Sequence, residues 1–565
     1  MAGYTRGLPS RGGCAGWGLM FGPFALLDVF VLGAYFAVIG WVAWSKGRRE
    51  NDTEDFVVGG RRVPWVAVLL SIVATEISAV TFLAVTGTGF ESNLTYLQFG
   101  IGTIFGRVVV AVVFLRAYYS GQVMTVYQYL AQRFGNRTRY TATAVFLLSR
   151  LVAASIRLSL AAIGFHVILD IPVLWTLSAF TLFAIAYTFW GGIKAVIWTD
   201  VVQAVVFIGG GLAAMAFLVH DLGWATIWST AQAEDKLEMI RLAPDDSADV
   251  GWLSWLNDPG LFFLAFINGM VMIIASLGTD QDLSQRMLTC RDVRGAQRSV
   301  ILSGIVGIPV AALFLFVGIA IFAYAEARPE FLAAITHNGE VASSHVFAAF
   351  IRDVLPAGLK GLLVAGIFAS AMSSIDSAMS ALASSAMVDL YRPLVRRKLT
   401  EAHYLMVTRV GVVFFGLILL ALAWSVRDTG NFLWLALQVA GIPAGALLGI
   451  FLLGLLTRRG TDRWNVIAMA TGLAVTTLLF IAIRLGWTGI AWPWIVILGT
   501  ALTFGIGAAA DWALKQPSYV APQNVVGKAS APDSDTDSAA RPPAAHTDAA
   551  RARTPAKATP PRTGR

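Results

Sequence analysis

Asp376 lies inside a long apolar run, AGIFASAMSSIDSAMSALASSAMVD (365–389), with Ser370, Ser373, Ser374 and Ser377 crowded around it. Positions 370, 373, 374 and 377 follow i, i+3, i+4, i+7 spacing, so in a helix their hydroxyls share one face. Hard cations take hydroxyl, carbonyl and carboxylate oxygen in preference to nitrogen or sulfur, and such a face is half of a cation site. The serines alone would serve equally well as a small-residue face for close helix packing. Packing does not require a buried carboxylate, however, and Asp376 turns the reading toward ion binding.

A second polar run, SIVATEISAVTFLAVTGTG (71–89), sets Glu76 about half-way along, amid Thr75, Ser78 and Thr81, with Gly87 and Gly89 beyond. A helix so rich in hydroxyls and ending in glycine is a candidate for unwinding near its middle, which would free backbone carbonyls for a cation. Asp200, in WGGIKAVIWTDVVQ (190–203), reads first as an interfacial acid paired with Lys194. Arg150 and Arg157 lie seven apart on one face of the helix that begins at Tyr140, at depths too great for easy snorkelling. They require either an anionic substrate or an internal carboxylate such as Glu76; the second alternative is a structural salt bridge.

The elements that hold these residues are membrane spans. The 565 residues are 57% hydrophobic and 13% charged, with a mean hydropathy of +0.68, whereas soluble chains are ~25% charged. Apolar stretches fall near 26–44, 65–89, 97–117, 140–168, 173–190, 194–219, 259–277, 299–324, 358–388, 404–425, 432–456, 465–483 and 491–510. The fold class is therefore an all-α integral membrane protein of about thirteen transmembrane helices. Basic residues cluster in alternate loops: Lys46, Arg48, Arg49, Arg61 and Arg62; Arg133, Arg137 and Arg139; Lys194; Arg286, Arg291, Arg294 and Arg298; Arg392, Arg396, Arg397 and Lys398; Arg458, Arg459 and Arg463. The positive-inside rule makes that side cytoplasmic, with the N-terminus outside and the C-terminus inside a multi-pass protein of the cell membrane. The acidic loop 220–259 and the loop 326–356 then face outward.

The formal charge of +8 sits between spans and at the tail, which fits retention of cytoplasmic loops rather than nucleic-acid binding. Residues 1–25 read as an extracellular extension without a cleaved signal. Residues 515–565, rich in Ala, Pro, Thr, Asp and Arg, read as a disordered cytoplasmic tail. Cys14 and Cys290 imply no disulfide framework. The chain has no G-x-x-x-x-G-K-[ST] loop for an ATP-driven pump, and no His/Glu or Cys/His cluster for a membrane enzyme.

Five segments in order, FVVGGRRVPWVAVLLSIVATEISAVTF (56–82), YTFWGGIKAVIWTDVVQ (187–203), TDQDLSQRMLTCRDVRGAQRS (279–299), FASAMSSIDSAMSALASSAMVDLY (368–391) and FLLGLL (451–456), together resemble the sodium:solute symporter family. The resemblance covers about residues 26–510. It implies a LeuT-type fold, two inverted five-helix repeats with broken first and sixth helices around a midplane site. The repeats would fall at 65–219 and 259–456, with the helix at 26–44 before them and two helices at 465–510 after them.

The same resemblance implies a shared sodium site at Ala74, Ile77, Ser370, Ser373 and Ser374, and in some members a second sodium, here at Asp200, Ser373, Asp376 and Ser377. Asp376 stands where those members have a hydroxyl. The sugar contacts of a galactose-carrying relative appear here as Thr81, Ile273, Ser276 and Ile305, which disfavours a galactose-like hexose. Glu76 takes the place of an essential Asp of the proline relative, and Arg150 falls near an arginine that pairs a sialic acid carboxylate; an arginine fork suits a carboxylate. Ser78, Arg157 and Gln438 are further candidate solute contacts. The function implied is sodium-coupled symport of a small polar organic solute by alternating access, with a carboxylate or amino-acid-like load favoured, sodium as coupling ion and no organic cofactor. The alternatives are proton-coupled or sodium/sugar symport on the same fold, or a transporter-like solute sensor, for which the tail offers no output domain.

Overall fold

Backbone polar groups in hydrocarbon must be satisfied inside the protein, and a helix does this within one segment. The computed structural model describes residues 24–47, 52–76, 80–244, 255, 257–337, 340–341, 343–395, 399–427 and 432–514, and they are almost wholly helical. In chain order the helices are α1 (Leu26–Gly47), α2 (Thr53–Val58), α3 (Trp65–Glu76), α4 (Thr86–Glu91), α5 (Tyr96–Ser120), α6 (Val126–Arg133), α7 (Asn136–Leu169), α8 (Val173–Leu222), α9 (Trp224–Ala233), α10 (Phe262–Thr279), α11 (Gln281–Leu288) and α12 (Val293–Ala327). After these come α13 (Pro329–Ile335), α14 (Ser343–Asp353), α15 (Leu359–Leu394), α16 (Glu401–Val426), α17 (Phe432–Leu456), α18 (Asp462–Arg484) and α19 (Trp494–Leu514). A two-residue antiparallel pair, Thr336–His337 with Glu340–Val341, lies between α13 and α14.

Among the described residues nine helices are long and apolar enough to cross a membrane, and Trp65–Glu76, Ala440–Leu456 and Trp494–Ala510 are shorter apolar helices. The 50 residues of α8 would measure about 75 Å as one straight helix at ~1.5 Å per residue, more than twice the ~30 Å of a hydrocarbon core. The element kinks at Gly192, whose φ of 50° and ψ of −156° lie outside the helical region and suit a residue without a Cβ. The chain therefore turns at Gly192, between the stretches 173–190 and 194–219, and α8 is two helical segments joined there.

The described part of α3 ends at Glu76, and a π-helical segment, Val80–Val85, precedes α4. Among the described residues one helix breaks where a solute site needs irregular backbone. The break is at Asp280, extended at φ −87° and ψ 121°, between α10 and α11. Breaking a helix orphans its last carbonyls, and here side chains take them up. Ser284 Oγ donates to Leu277 O at 2.8 Å, Tyr118 Oη to Gly278 O, and Tyr127 Oη to Thr279 O at 2.9 Å. Asp280 Oδ1 accepts from the Asp282 amide at 2.9 Å and so caps α11.

This break corrects the loop reading. Arg286, placed by the sequence with the loop charges, lies in α11 and is fully buried. Arg291, Arg294 and Arg298 on that side are exposed, so the alternation of basic loops survives without it.

α15 runs through the core: 94% of its span window is buried, and it packs against α1, α3, α7, α8 and α16. Small residues make that burial possible, since Ala, Ser and Gly let neighbouring backbones approach. Its N-terminus is capped from another helix, for Asp28 Oδ1 in α1 accepts from Gly358 N and Gly361 N at 2.7 Å each. The polar positions on 370–377 are therefore held by the most enclosed of the nine long apolar helices among the described residues.

Candidate functional site

α3 and α15 meet at Thr75 and Ser373, whose hydroxyl oxygens lie 3.3 Å apart. A hydroxyl has one proton and two lone pairs. Thr75 donates its proton to Ser71 O at 2.9 Å and Ser373 donates to Asp200 Oδ1 at 2.5 Å, so the two oxygens face each other with lone pairs. The neighbouring serines behave alike: Ser374 donates to Ser370 O at 3.3 Å, Ser377 to Ser373 O at 2.7 Å and Ser370 to Ile367 O at 2.8 Å. Every one of these hydroxyls gives its hydrogen to helix backbone or carboxylate and keeps its lone pairs. That arrangement provides oxygen ligands for a hard cation.

Asp200, from the second half of α8, anchors this cluster. Its Oδ2 accepts from Ser71 Oγ at 2.5 Å and from Arg286 Nη2 at 3.2 Å. Lys194 pairs instead with Asp55 at 3.0 Å, which overturns the interfacial reading of Asp200: it is fully buried and tied to α3, α11 and α15. Asp376 accepts from the Tyr187 hydroxyl and from the Ser377 amide, the latter at 2.5 Å. Asp200 and Asp376 thus flank Ser373 and Ser377, and all four residues of the proposed second sodium set come together.

A cavity of about 70 Å³ opens between α7, α10 and α17. Ser149, Arg150 and Arg157 line it from α7, Ser276, Thr279 and Asp280 from α10 and the break, and Pro443 and Leu447 from α17. Arg150 Nη1 lies 3.2 Å from Asp280 Oδ2, and its Nη2 meets Asp282 Oδ2. Asp282 Oδ1 in turn holds Arg286 Nη1 at 2.8 Å. Arg157 lines the same cavity, where the Asp280 charge acts on it, but among the described residues it makes no hydrogen bond or ion pair within bonding distance.

Glu76 does not pair with either arginine of α7. Its Oε2 accepts from Arg107 Nη2 at 2.6 Å, and Arg107 Nη1 donates to Ser303 Oγ at 2.6 Å. The alternative in which Glu76 neutralised Arg150 fails because Asp280 and Asp282, delivered by the broken helix, are nearer.

The sequence matches the model of the sodium:solute symporter family over residues 56–472. The chain belongs to that family. It is 25% identical over 473 residues to the sodium/glucose cotransporter of Vibrio parahaemolyticus, covering 80% of this chain and 85% of that one. It is 30% identical over 461 residues to the sodium-dependent multivitamin transporter of Oryctolagus cuniculus, covering 80% and 68%. Its fold is similar to the substrate-bound outward-open state of a sodium-coupled sialic acid symporter, with a TM-score of 0.76 at 23% identity, over 87% of this chain and 98% of that one. The fold is accordingly of the LeuT type, and the protein is a sodium-coupled symporter of the membrane and not an enzyme.

Within this symporter the expected contacts divide by position. Ala74, Ser370, Ser373 and Ser374 lie on the facing stretches of α3 and α15, and Ile77 lies outside the described residues. Arg150, Arg157 and Ser276 surround the cavity, whereas Glu76 belongs to the separate pair with Arg107. Ser78 lies outside the described residues, as do the side chains of Thr81 and Gln438. Sequence reasoning missed Ser71, Arg107, Asp280, Asp282 and Arg286. Arg107 carried the same signal as Arg150, a guanidinium mid-way along an apolar span, and Asp282 with Arg286 carried i, i+4 spacing.

Proposed function

We propose that the symporter carries a small organic carboxylate into the cell together with sodium, by alternating access of two inverted repeats at 65–219 and 259–456. The observation that carries the solute class is Arg157, a guanidinium that lines the cavity and makes no ion pair among the described residues, since Asp280, the carboxylate that acts on it, is bonded to Arg150. A guanidinium lining a cavity within the membrane protein calls for an anion, and its planar fork binds both oxygens of a carboxylate. An amino acid would also need a carboxylate for its ammonium group. Glu76, the candidate for that task, is already matched by Arg107, which favours a plain acid over a zwitterion. The cavity of about 70 Å³ has room for about five waters at ~10–15 Å³ each, a size that fits a short acid better than a hexose.

Sodium occupies the shared site in this reading, between the carbonyls of Ala74, Ile77 and Ser370 and the hydroxyls of Ser373 and Ser374, and it holds α3 against α15. Thirteen crossings follow if α8 counts as two and the shorter apolar helices each complete a span. The N-terminus is then outside and the C-terminus cytoplasmic, with the exposed Arg291, Arg294 and Arg298 inside. The test is uptake of radiolabelled short-chain carboxylates into proteoliposomes under an inward sodium gradient. Arg157→Gln should lower that uptake at least about 100-fold, in line with the ~3–5 kcal/mol at stake in a buried charge pair. Uptake of a carboxylate by this variant at the original rate would remove the assignment.

A second reading concerns the coupling ion. Among the described residues Asp376 is held by the neutral donors Tyr187 and Ser377 and by no cationic side chain. That supports a second cation, sodium or proton, at the set of Asp200, Ser373, Asp376 and Ser377. Uptake driven separately by sodium and by proton gradients distinguishes these occupants.

A further inference from the structure

The cavity and the cation cluster are joined by an unbroken series of alternating charges. Arg150 bridges Asp280 and Asp282; Asp282 bridges Arg150 and Arg286; Arg286 bridges Asp282 and Asp200; and Asp200 accepts the proton of Ser373. Arg286, Asp282 and Asp200 are each 0–1% exposed, so no water competes for their charges. Arg286 uses its whole fork here. Nε donates to Ser71 Oγ at 2.9 Å, Nη1 to Asp282 O at 2.6 Å and Oδ1 at 2.8 Å, and Nη2 to Asp200 Oδ2 at 3.2 Å.

In such a series each middle charge is shared between two neighbours, and strengthening one contact weakens the next. A cation seated on the Ser373 oxygen pulls the Ser373 and Asp200 pair toward itself and draws negative charge away from Arg286. Arg286 then depends more on Asp282, and Asp282 less on Arg150. The element that turns this exchange into movement is the break at Asp280, where extended backbone lets α11 shift against α10.

We propose that this series is the coupling device of the symporter: sodium at Ser373 loosens the Arg150–Asp282 bond, which leaves Arg150 on Asp280 alone and turns its freed Nη2 to the cavity beside Arg157. Arg157 is then the constant anchor of the solute carboxylate and Arg150 the sodium-switched one. Asp282 and Arg286 are positioning residues that touch neither sodium nor solute. By linkage, the solute must raise sodium affinity by the same factor by which sodium raises solute affinity. The proposal rests on the reading of the sodium site and of the cavity given above.

The test reads the charge of the cavity without needing the solute. A Ser276→Cys chain in detergent is labelled with an anionic and with a cationic methanethiosulfonate, with and without sodium, and the parent chain serves as the blank. General opening of the cavity alters both rates alike, so the ratio of anionic to cationic rate reports only the charge. Sodium should raise that ratio about fivefold or more, within the usual span of coupling between sites. Asp282→Asn removes one carboxylate from Arg150 and leaves it to Asp280 alone, so its ratio should be high with and without sodium while it still binds ²²Na⁺. Arg150→Gln, which serves also if Asp282→Asn does not fold, should give a low ratio that sodium leaves unchanged. A parent ratio indifferent to sodium in a Ser276→Cys chain that binds ²²Na⁺ overturns the coupling series alone. Absence of ²²Na⁺ binding in the parent overturns the sodium site and the series with it.

Discussion

Ser374 and Ser373 have the same side chain but different claims on their protons, and substitution should separate them. Ser374 donates to Ser370 O at 3.3 Å, a long bond, whereas Ser373 donates to the Asp200 carboxylate at 2.5 Å. Ser374→Ala removes one oxygen ligand and leaves the charge series intact, so half-saturating sodium should rise about tenfold, or ~1.4 kcal/mol, with maximal uptake little changed. Ser373→Ala also strands the Asp200 oxygen it had satisfied, at a cost of ~1–3 kcal/mol, and should lower both sodium affinity and thermal stability. Sodium titration of uptake and a melting curve on each variant check the pair; equal behaviour of the two would contradict the roles given to them. The serine face was legible in the sequence because its spacing is local. The partners were not, since Ser373 meets Asp200 across 173 positions and Ser71 meets Arg286 across 215, and no periodicity within one helix reports a neighbour on another.

At the scale of elements, the sequence pattern located the spans well and the break at Asp280 poorly. Apolar length sets a span, and α1, α7, α12 and α16 lie where the hydropathy places them. The break at Asp280 does not interrupt hydrophobicity in a way composition reveals. The run simply turns polar at TDQDLSQR, which reads as an approach to a loop, and only the burial of α11 shows that the chain is still inside the protein. What holds the break is a set of side chains from α5 and α6 that donate to the freed carbonyls. Tyr127→Phe removes the donor to Thr279 O and leaves that buried carbonyl unsatisfied, at a cost of about 1–3 kcal/mol. Because Thr279 also lines the cavity, the variant should lose solute uptake more than it loses fold, with a lower melting temperature and a raised KM for the carboxylate. A lowered melting temperature with unchanged KM would mean that the break supports the fold but does not shape the site.

For the whole molecule, sodium and solute are ligands of particular conformations, and each stabilises the protein in proportion to its binding. At the proposed site sodium would join α3 to α15, and α15 is the helix on which α1, α7, α8 and α16 converge, so a cation seated there would tie together elements from both halves of the chain. Exchange of choline for sodium at constant ionic strength should raise the melting temperature, with about 2.7 kcal/mol of added stability when sodium is 100 times its Kd. A short-chain carboxylate added without sodium should do little, because Arg150 remains held by Asp280 and Asp282. Added with sodium it should raise the melting temperature beyond the sum of the separate effects, since each ligand favours the state the other binds. Arg157→Gln should abolish the carboxylate increment and keep the sodium increment, and Ser374→Ala should reduce both, the second only through the first. Strict additivity of sodium and carboxylate in the unsubstituted chain would mean that the two sites, although joined by an unbroken series of charges, are energetically independent.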